Sequence, residues 1–131
     1  MCTISDELKL RLWEEASAIK DHDSSIIRQD SCGAWIQWEK YQDRSSDFGW
    51  EVDHIFPQGV LKAKGADKDE IDCEENLRVM NWHNIVSKGN DYPIYHGAVK
   101  AEGDKNILST DEFEVNKERQ ERLKRIFSKY I

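Results

Sequence analysis

Apolar residues at Leu8, Leu12, Ala16 and Ile19 recur at steps of four and three, with Trp13 beside them. That period predicts an amphipathic helix over 5–20. Ser5 is placed to cap it, and Asp6 and Glu7 suit the positive end of its dipole. Residues 21–34 are polar and predict irregular chain. The stretch 35–41 alternates poorly and fits a short strand or a short helix. Residues 48–55 carry strand-type side chains and run into a proline turn at Pro57. Next comes an acid-rich segment, 59–75, with Asp67, Asp69, Glu70, Asp72, Glu74 and Glu75, which predicts a polar loop. Leu77 to Met80 predicts a second short strand, and 82–88 a short helix stopped by Gly89 and Asn90. Residues 92–111 predict loops. The final segment, 116–131, predicts a helix with Leu123, Ile126, Phe127 and Tyr130 on one face.

Composition narrows the class. The chain has 131 residues and a formal charge of −7, enough for one domain with one modest core. No apolar run approaches the roughly 20 residues of a membrane span, and the N-terminus lacks the basic start and apolar stretch of a signal peptide. Cys2, Cys32 and Cys73 form no C-x-x-C pair. They predict reduced thiols in a cytoplasmic protein rather than a disulfide framework or zinc ribbon. Trp13, Trp35, Trp38, Trp50 and Trp82 predict core and hairpin packing. An acidic chain is not the profile of a non-specific nucleic-acid binder, since phosphate neutralisation supplies most of that affinity. The last helix reverses the sign, with Arg122, Arg125 and Lys129 on one stripe; it fits a solvated face and a phosphate-contacting surface equally well.

The chemistry concentrates in 50–93. Asp53 and His54 are adjacent at the end of the first strand, Asn76 opens the second, and His83, Asn84 and Lys88 lie on the short helix. Phosphodiester hydrolysis uses such parts: a neutral imidazole takes a proton from water near neutral pH, and a carboxylate holds a hard divalent cation. An amide such as Asn76 orients a loop or an imidazole. His22 and His96 predict surface positions.

The ordered set DHI-x-P, NLR, W-x-N and SKG-x-D-x-P resembles the HNH nucleases, and CGAW followed by GWEVDHI is similar to small bacterial stand-alone HNH proteins. The resemblance implies an α+β fold with a ββα-metal core. In it, a hairpin of about 50–56 and 77–81 packs on the helix 82–88, flanked by the terminal helices. It implies metal-dependent DNA endonuclease activity, with His54 as general base, Asp53 as metal ligand and Asn76 supporting the histidine and hairpin. The implied cofactor is Mg²⁺, with Mn²⁺ or another transition ion as the alternative; the cysteine pairs of the structural zinc site in some relatives are missing. The family's helix ligand, an asparagine or histidine three residues before the lysine, falls here on Ile85, which cannot ligate. Asn84 or His83 would have to stand in as metal ligand, or the site is impaired and the fold binds nucleic acid or a protein partner without cutting. Lys88 is expected to touch a phosphate or to cap its helix. The implied partner is DNA, reached through Lys88, Arg122, Arg125 and Lys129, through a homodimer, or through a second protein that delivers it.

Overall fold

The structure, a computed structural model, describes residues 4–131; Cys2 lies outside them. Helix α1 (Asp6–Glu15) starts where the capping pattern predicts, with Ser5 Oγ accepting from the Leu8 N–H at 3.1 Å, and it buries Leu12 and Trp13. It is shorter than the apolar period suggests. Two acids, Glu14 and Glu15, sit at its negative end and no cation balances them, which disfavours further turns. Arg28 from outside the helix supplies the missing donors to the Glu14 and Ala16 carbonyls, at 3.0 and 2.9 Å. Ser17 then leaves in extended form and bridges Gln29.

The segment expected to be irregular contains β1 (Ile27–Gln29), paired antiparallel with β2 (Trp35–Gln37). A 3-10 turn over Trp38–Lys40 follows β2, so 35–41 is strand and helical turn in succession. Asp30 organises the turn between the two strands. Its Oδ1 accepts from the Cys32 and Ala34 N–H groups, both at 2.9 Å, while Gly33 takes a positive φ. Its Oδ2 reaches across to the Asn81 N–H at 2.9 Å and the Asn84 amide at 3.0 Å.

The central hairpin is β3 (Trp50–His54) against β4 (Leu77–Asn81), in the register Trp50↔Asn81 to His54↔Leu77. Both strands and the following helix, α4 (Trp82–Lys88), fall where the sequence predicts. Gly49 is required just before β3, because Asp43 O and the Trp82 ring fill the space a Cβ would take. The hairpin has two covered faces. Trp50, Leu77 and Val79 pack with Leu12 and Trp13 of α1 and with Ile36. Met80 looks the other way, into a cluster with Ile55, Leu61, Ile71, Tyr95, Leu123 and Phe127, against which Ile85 of α4 packs.

Elsewhere the expectation of loops fails. The acidic segment holds α2 (Gln58–Ala63), α3 (Lys68–Ile71) and a 3-10 turn over Glu74–Asn76. Three of its apolar residues, Leu61, Ala66 and Ile71, are buried. Asp67 and Glu70 form a reciprocal capping box on α3, which offsets the poor propensity of so short a helix. Residues 92–111 contribute β5 (Ile94–His96), β6 (Val99–Glu102) and β7 (Lys105–Leu108), with β8 (Glu112–Glu114) pairing back on β5. These strands are short and lack clean alternation, so the period gives no warning of them. Helix α5 (Lys117–Ile126) stops before the predicted end. Leu123 and Phe127 are buried, Ile126 is exposed, and Tyr130 lies beyond the helix with its hydroxyl on both Glu70 carboxylate oxygens. The fold is therefore mixed α+β with small antiparallel sheets. No helix among the described residues is long and apolar enough to cross a membrane.

Asp30→Asn tests the turn. An amide offers one acceptor where four N–H donors converge, and it brings two donors of its own. The expected loss of stability is about 2–4 kcal/mol, read as a lower urea midpoint. A loss under about 0.5 kcal/mol would mean that the carboxylate does not join these segments.

Candidate active-site cleft

Asp53 and His54 close β3 side by side, and the chain turns at Pro57 into α2. Beside them opens a cleft of about 380 Å³, bounded also by Gln58, Lys62 and Asn90 and, from α4, by Ile85. The helix position that the resemblance assigns to a metal ligand thus does face Asp53 and His54, and it presents an isoleucine to them.

His54 is half-buried, and its Nε2 lies 2.7 Å from Asp72 Oδ1. In the neutral ring this contact holds the proton on Nε2 and leaves Nδ1 as the lone-pair nitrogen. Asp72 is itself held by Lys68, whose ammonium is 2.8 Å from Oδ2. The sequence reading placed Asp72 in an acidic loop and missed this role; only its position one turn after Lys68 on a capped helix hints at it. Asn76 is fully buried. It accepts from the Phe56 N–H at 2.7 Å and donates to the Phe56 and Ile71 carbonyls. It thereby clamps the chain just after His54 to the end of α3. These bonds go to Phe56 and Ile71, outside the hairpin strands, and none of them is to the imidazole.

Asp53 is buried, and its Oδ2 has no hydrogen-bond partner. Lys88 Nζ and Arg78 Nε each stand 3.6 Å from that oxygen. Burial pushes the Asp53 carboxyl up from the usual range, and the two cations pull it back. Burial likewise lowers Lys88, which Asp53 opposes. Lys88 is only 1% exposed and donates to the His54 carbonyl at 3.0 Å. In this placement it braces the strand end from within and does not reach a phosphate on the surface.

The two residues expected to stand in for Ile85 point elsewhere. Asn84 is fully buried, and both ends of its amide are committed: Nδ2 to Asp30 and the Val99 carbonyl, Oδ1 to the Ala98 and Val99 N–H groups. His83 stacks on Trp82 with ring centroids 3.6 Å apart, and its Nε2 is 3.6 Å from Asp47. Neither lines the cleft. His22 lies against Trp35 with the rings tilted by 37°, and His96 sits 3.6 Å from Glu112, both exposed. On α5, Arg122 is half-buried and pairs with Glu118 at 3.3 Å and Arg125 is exposed; Lys129 is exposed too but lies three residues past the end of the helix, off the expected helical stripe.

A divalent ion of the Mg²⁺ kind asks for several oxygen donors. The orphaned Asp53 oxygen is one such donor. It is the sole carboxylate lining the cleft, two cations already neutralise it, and the neighbouring helix position is apolar. No group of three or more His, Cys, Asp or Glu side chains among the described residues is placed to hold a metal ion. This donor set does not fit a tightly held resident metal. No protein-family model matches the chain, nor does any curated protein or solved structure.

Removing Asp53 should leave two buried cations facing each other. Asp53→Ala is expected to cost about 3–5 kcal/mol. His54→Ala, which breaks one half-buried contact, should cost about 1 kcal/mol. Denaturant titration of the two variants checks this, and equal losses would show that Asp53 does not balance Lys88 and Arg78.

Proposed function

We propose that this chain is an HNH-type domain directed at DNA phosphodiesters, with His54 as the group that takes a proton from the attacking water. The observation that carries the reading is the pairing of Asp53 and His54 at one strand end, over a cleft whose far side is the helix following the hairpin. Its support is geometric. The imidazole is oriented by a carboxylate, as a general base must be, and Asn76 and Lys88 hold the strand end that presents it. Arg125 and Lys129 offer exposed cations for the DNA backbone. The resemblance calls for Mg²⁺ or Mn²⁺ held by Asp53, and the donor set fits such an ion poorly, so no step is assigned to it.

One observation favours a second reading, a module of the same fold that binds nucleic acid or a protein without cutting. Ile85 occupies the wall of the cleft beside Asp53, while the Asn84 amide is spent on other partners.

Supercoiled-plasmid cleavage with Mg²⁺ and with Mn²⁺ separates the two. Nicking by the natural sequence that His54→Ala abolishes supports the first reading. Cleavage by Ile85→Asn alone supports the second, and no cleavage by either chain counts against the HNH assignment. DNA retention should weaken with salt. Arg125→Gln with Lys129→Gln should flatten the log–log slope by about 2, at roughly 0.9 per lost phosphate contact. An unchanged slope removes α5 from the DNA surface.

A further inference from the structure

A second cavity, of about 310 Å³, opens at the other edge of the hairpin, between the end of α1, β4, the β5–β8 pair and the start of α5. Two arginines line it, Arg78 from β4 and Arg119 from α5. Their hydrogen bonding is unfinished. Arg78 Nη2 and Arg119 Nε are buried without a hydrogen-bond partner, and Arg78 Nε, also without one, has the Asp53 carboxylate 3.6 Å away as its ion-pair partner. Buried guanidinium nitrogens are rarely left so, and an orphaned group asks for a missing acceptor. Arg78 also lies over the Tyr95 ring, 5.0 Å from its centroid, which fixes the plane of the guanidinium. Arg119 is anchored at one nitrogen by the Glu75 carbonyl, 2.7 Å away, leaving the rest of its fork for another acceptor.

Three carboxylates also line the cavity, and none hydrogen-bonds these side chains; Asp53, outside it, meets Arg78 Nε at 3.6 Å and leaves Nη2 open. Asp30 is taken by four N–H donors. Glu114 is bonded to Lys117 and Gln120. Glu15 is exposed, at the end of α1. The remaining wall is mixed, with Leu12, Ile55, Val79, Phe113 and Val115 beside polar Ser31 and Asn116. Two guanidinium groups on a partly apolar wall suit an oxyanion on an apolar body.

We propose that this cavity binds a small organic anion, a carboxylate or phosphate monoester carrying an apolar group, with Arg78 and Arg119 on the anionic end and Val79, Phe113 and Val115 on the apolar end. The cavity shares no lining residue with the Asp53–His54 cleft, although Arg78 also contacts Asp53, and the inference does not rest on the DNA reading, so its test uses no DNA.

Titration of the full chain with benzoate, phenyl phosphate and inorganic phosphate, followed by amide chemical shifts and calorimetry, tests it. Saturable binding of benzoate or phenyl phosphate is expected, with shifts at Ser31, Tyr95 and Val115, and the preferred probe tells which oxyanion the arginines select. Inorganic phosphate should bind at least about tenfold more weakly, for want of the apolar contact. Arg119→Gln should weaken the organic probe by about tenfold or more. Arg119→Lys, which keeps the charge but loses the fork, should fall between and serves if the glutamine variant does not fold. Four results would each overturn the proposal: no binding of either organic probe at millimolar concentration, shifts confined to other residues, affinity unchanged in both Arg119 variants, or inorganic phosphate binding as tightly as phenyl phosphate.

Discussion

The buried Asp30 carboxylate joins two parts of the chain that are far apart in sequence. One oxygen shapes the β1–β2 turn, and the other accepts from the N–H of Asn81 and the side chain of Asn84, at the junction of β4 and α4. Ionised carboxylates accept and do not donate, and here every lone-pair direction meets an N–H. Burial pushes this carboxyl up while those four donors hold it down. A proton on either oxygen would displace one of the donors. Through Asn84 the same network extends to the Ala98 and Val99 backbone, at the start of β6. The rotation of α4 about its axis is set by these bonds.

That rotation decides what α4 shows to the cleft. Neighbouring helix positions differ by about 100°. With Asn84 turned inward to Asp30, Ile85 faces Asp53 and His54, and Lys88, one turn further along, passes beneath them. Turning α4 to bring Asn84 to the cleft would break the amide's bonds to Asp30, Val99 and Ala98 together. Such a network is stable only when all its members are satisfied, so a one-residue adjustment is a costly event rather than a small one. Lys88 follows the same logic. Its ammonium is worth burying because Asp53 and the His54 carbonyl receive it, and a group so committed is not available at the surface.

The central hairpin, α4 and the start of α1 were legible because each rests on local signals: strand-type runs, a glycine stop, a serine cap followed by two acids. The end of α1 was not, since its last carbonyls are capped by Arg28 from a distant segment. The strands within 92–111 were missed for a similar reason. β6 and β7 pair with each other, β5 pairs with β8 beyond the segment, Asn84 anchors the start of β6, and their own side chains carry no clean alternation. At the site, the chain order alone brought Asp53, His54 and the helix of Ile85 together. It did not reveal Arg78 beside Asp53 or Asp72 beside His54, because both contacts depend on the cross-strand register and on a short helix inside an acidic stretch.

The acidic stretch changes how the net charge of −7 is to be weighed. Asp67 caps α3, Glu70 receives the Tyr130 hydroxyl, Asp72 holds His54 and Lys68, and Glu74 pairs with Arg11 at 3.0 Å. Of the six acids between 67 and 75, Asp69 and Glu75 are the two for which no side-chain partner is described, and both are exposed. Most of the patch is therefore framework for the cleft rather than free charge facing a polyanion. Beyond about 8 Å, physiological salt screens exposed charges from one another. What a bound phosphate would sense near the cleft is the local balance, in which one carboxylate, Asp53, stands between two cations. At the cleft, Asp53 and Asp72 each stand against cations, so the whole-molecule count is a poor guide to the charge a ligand would meet there.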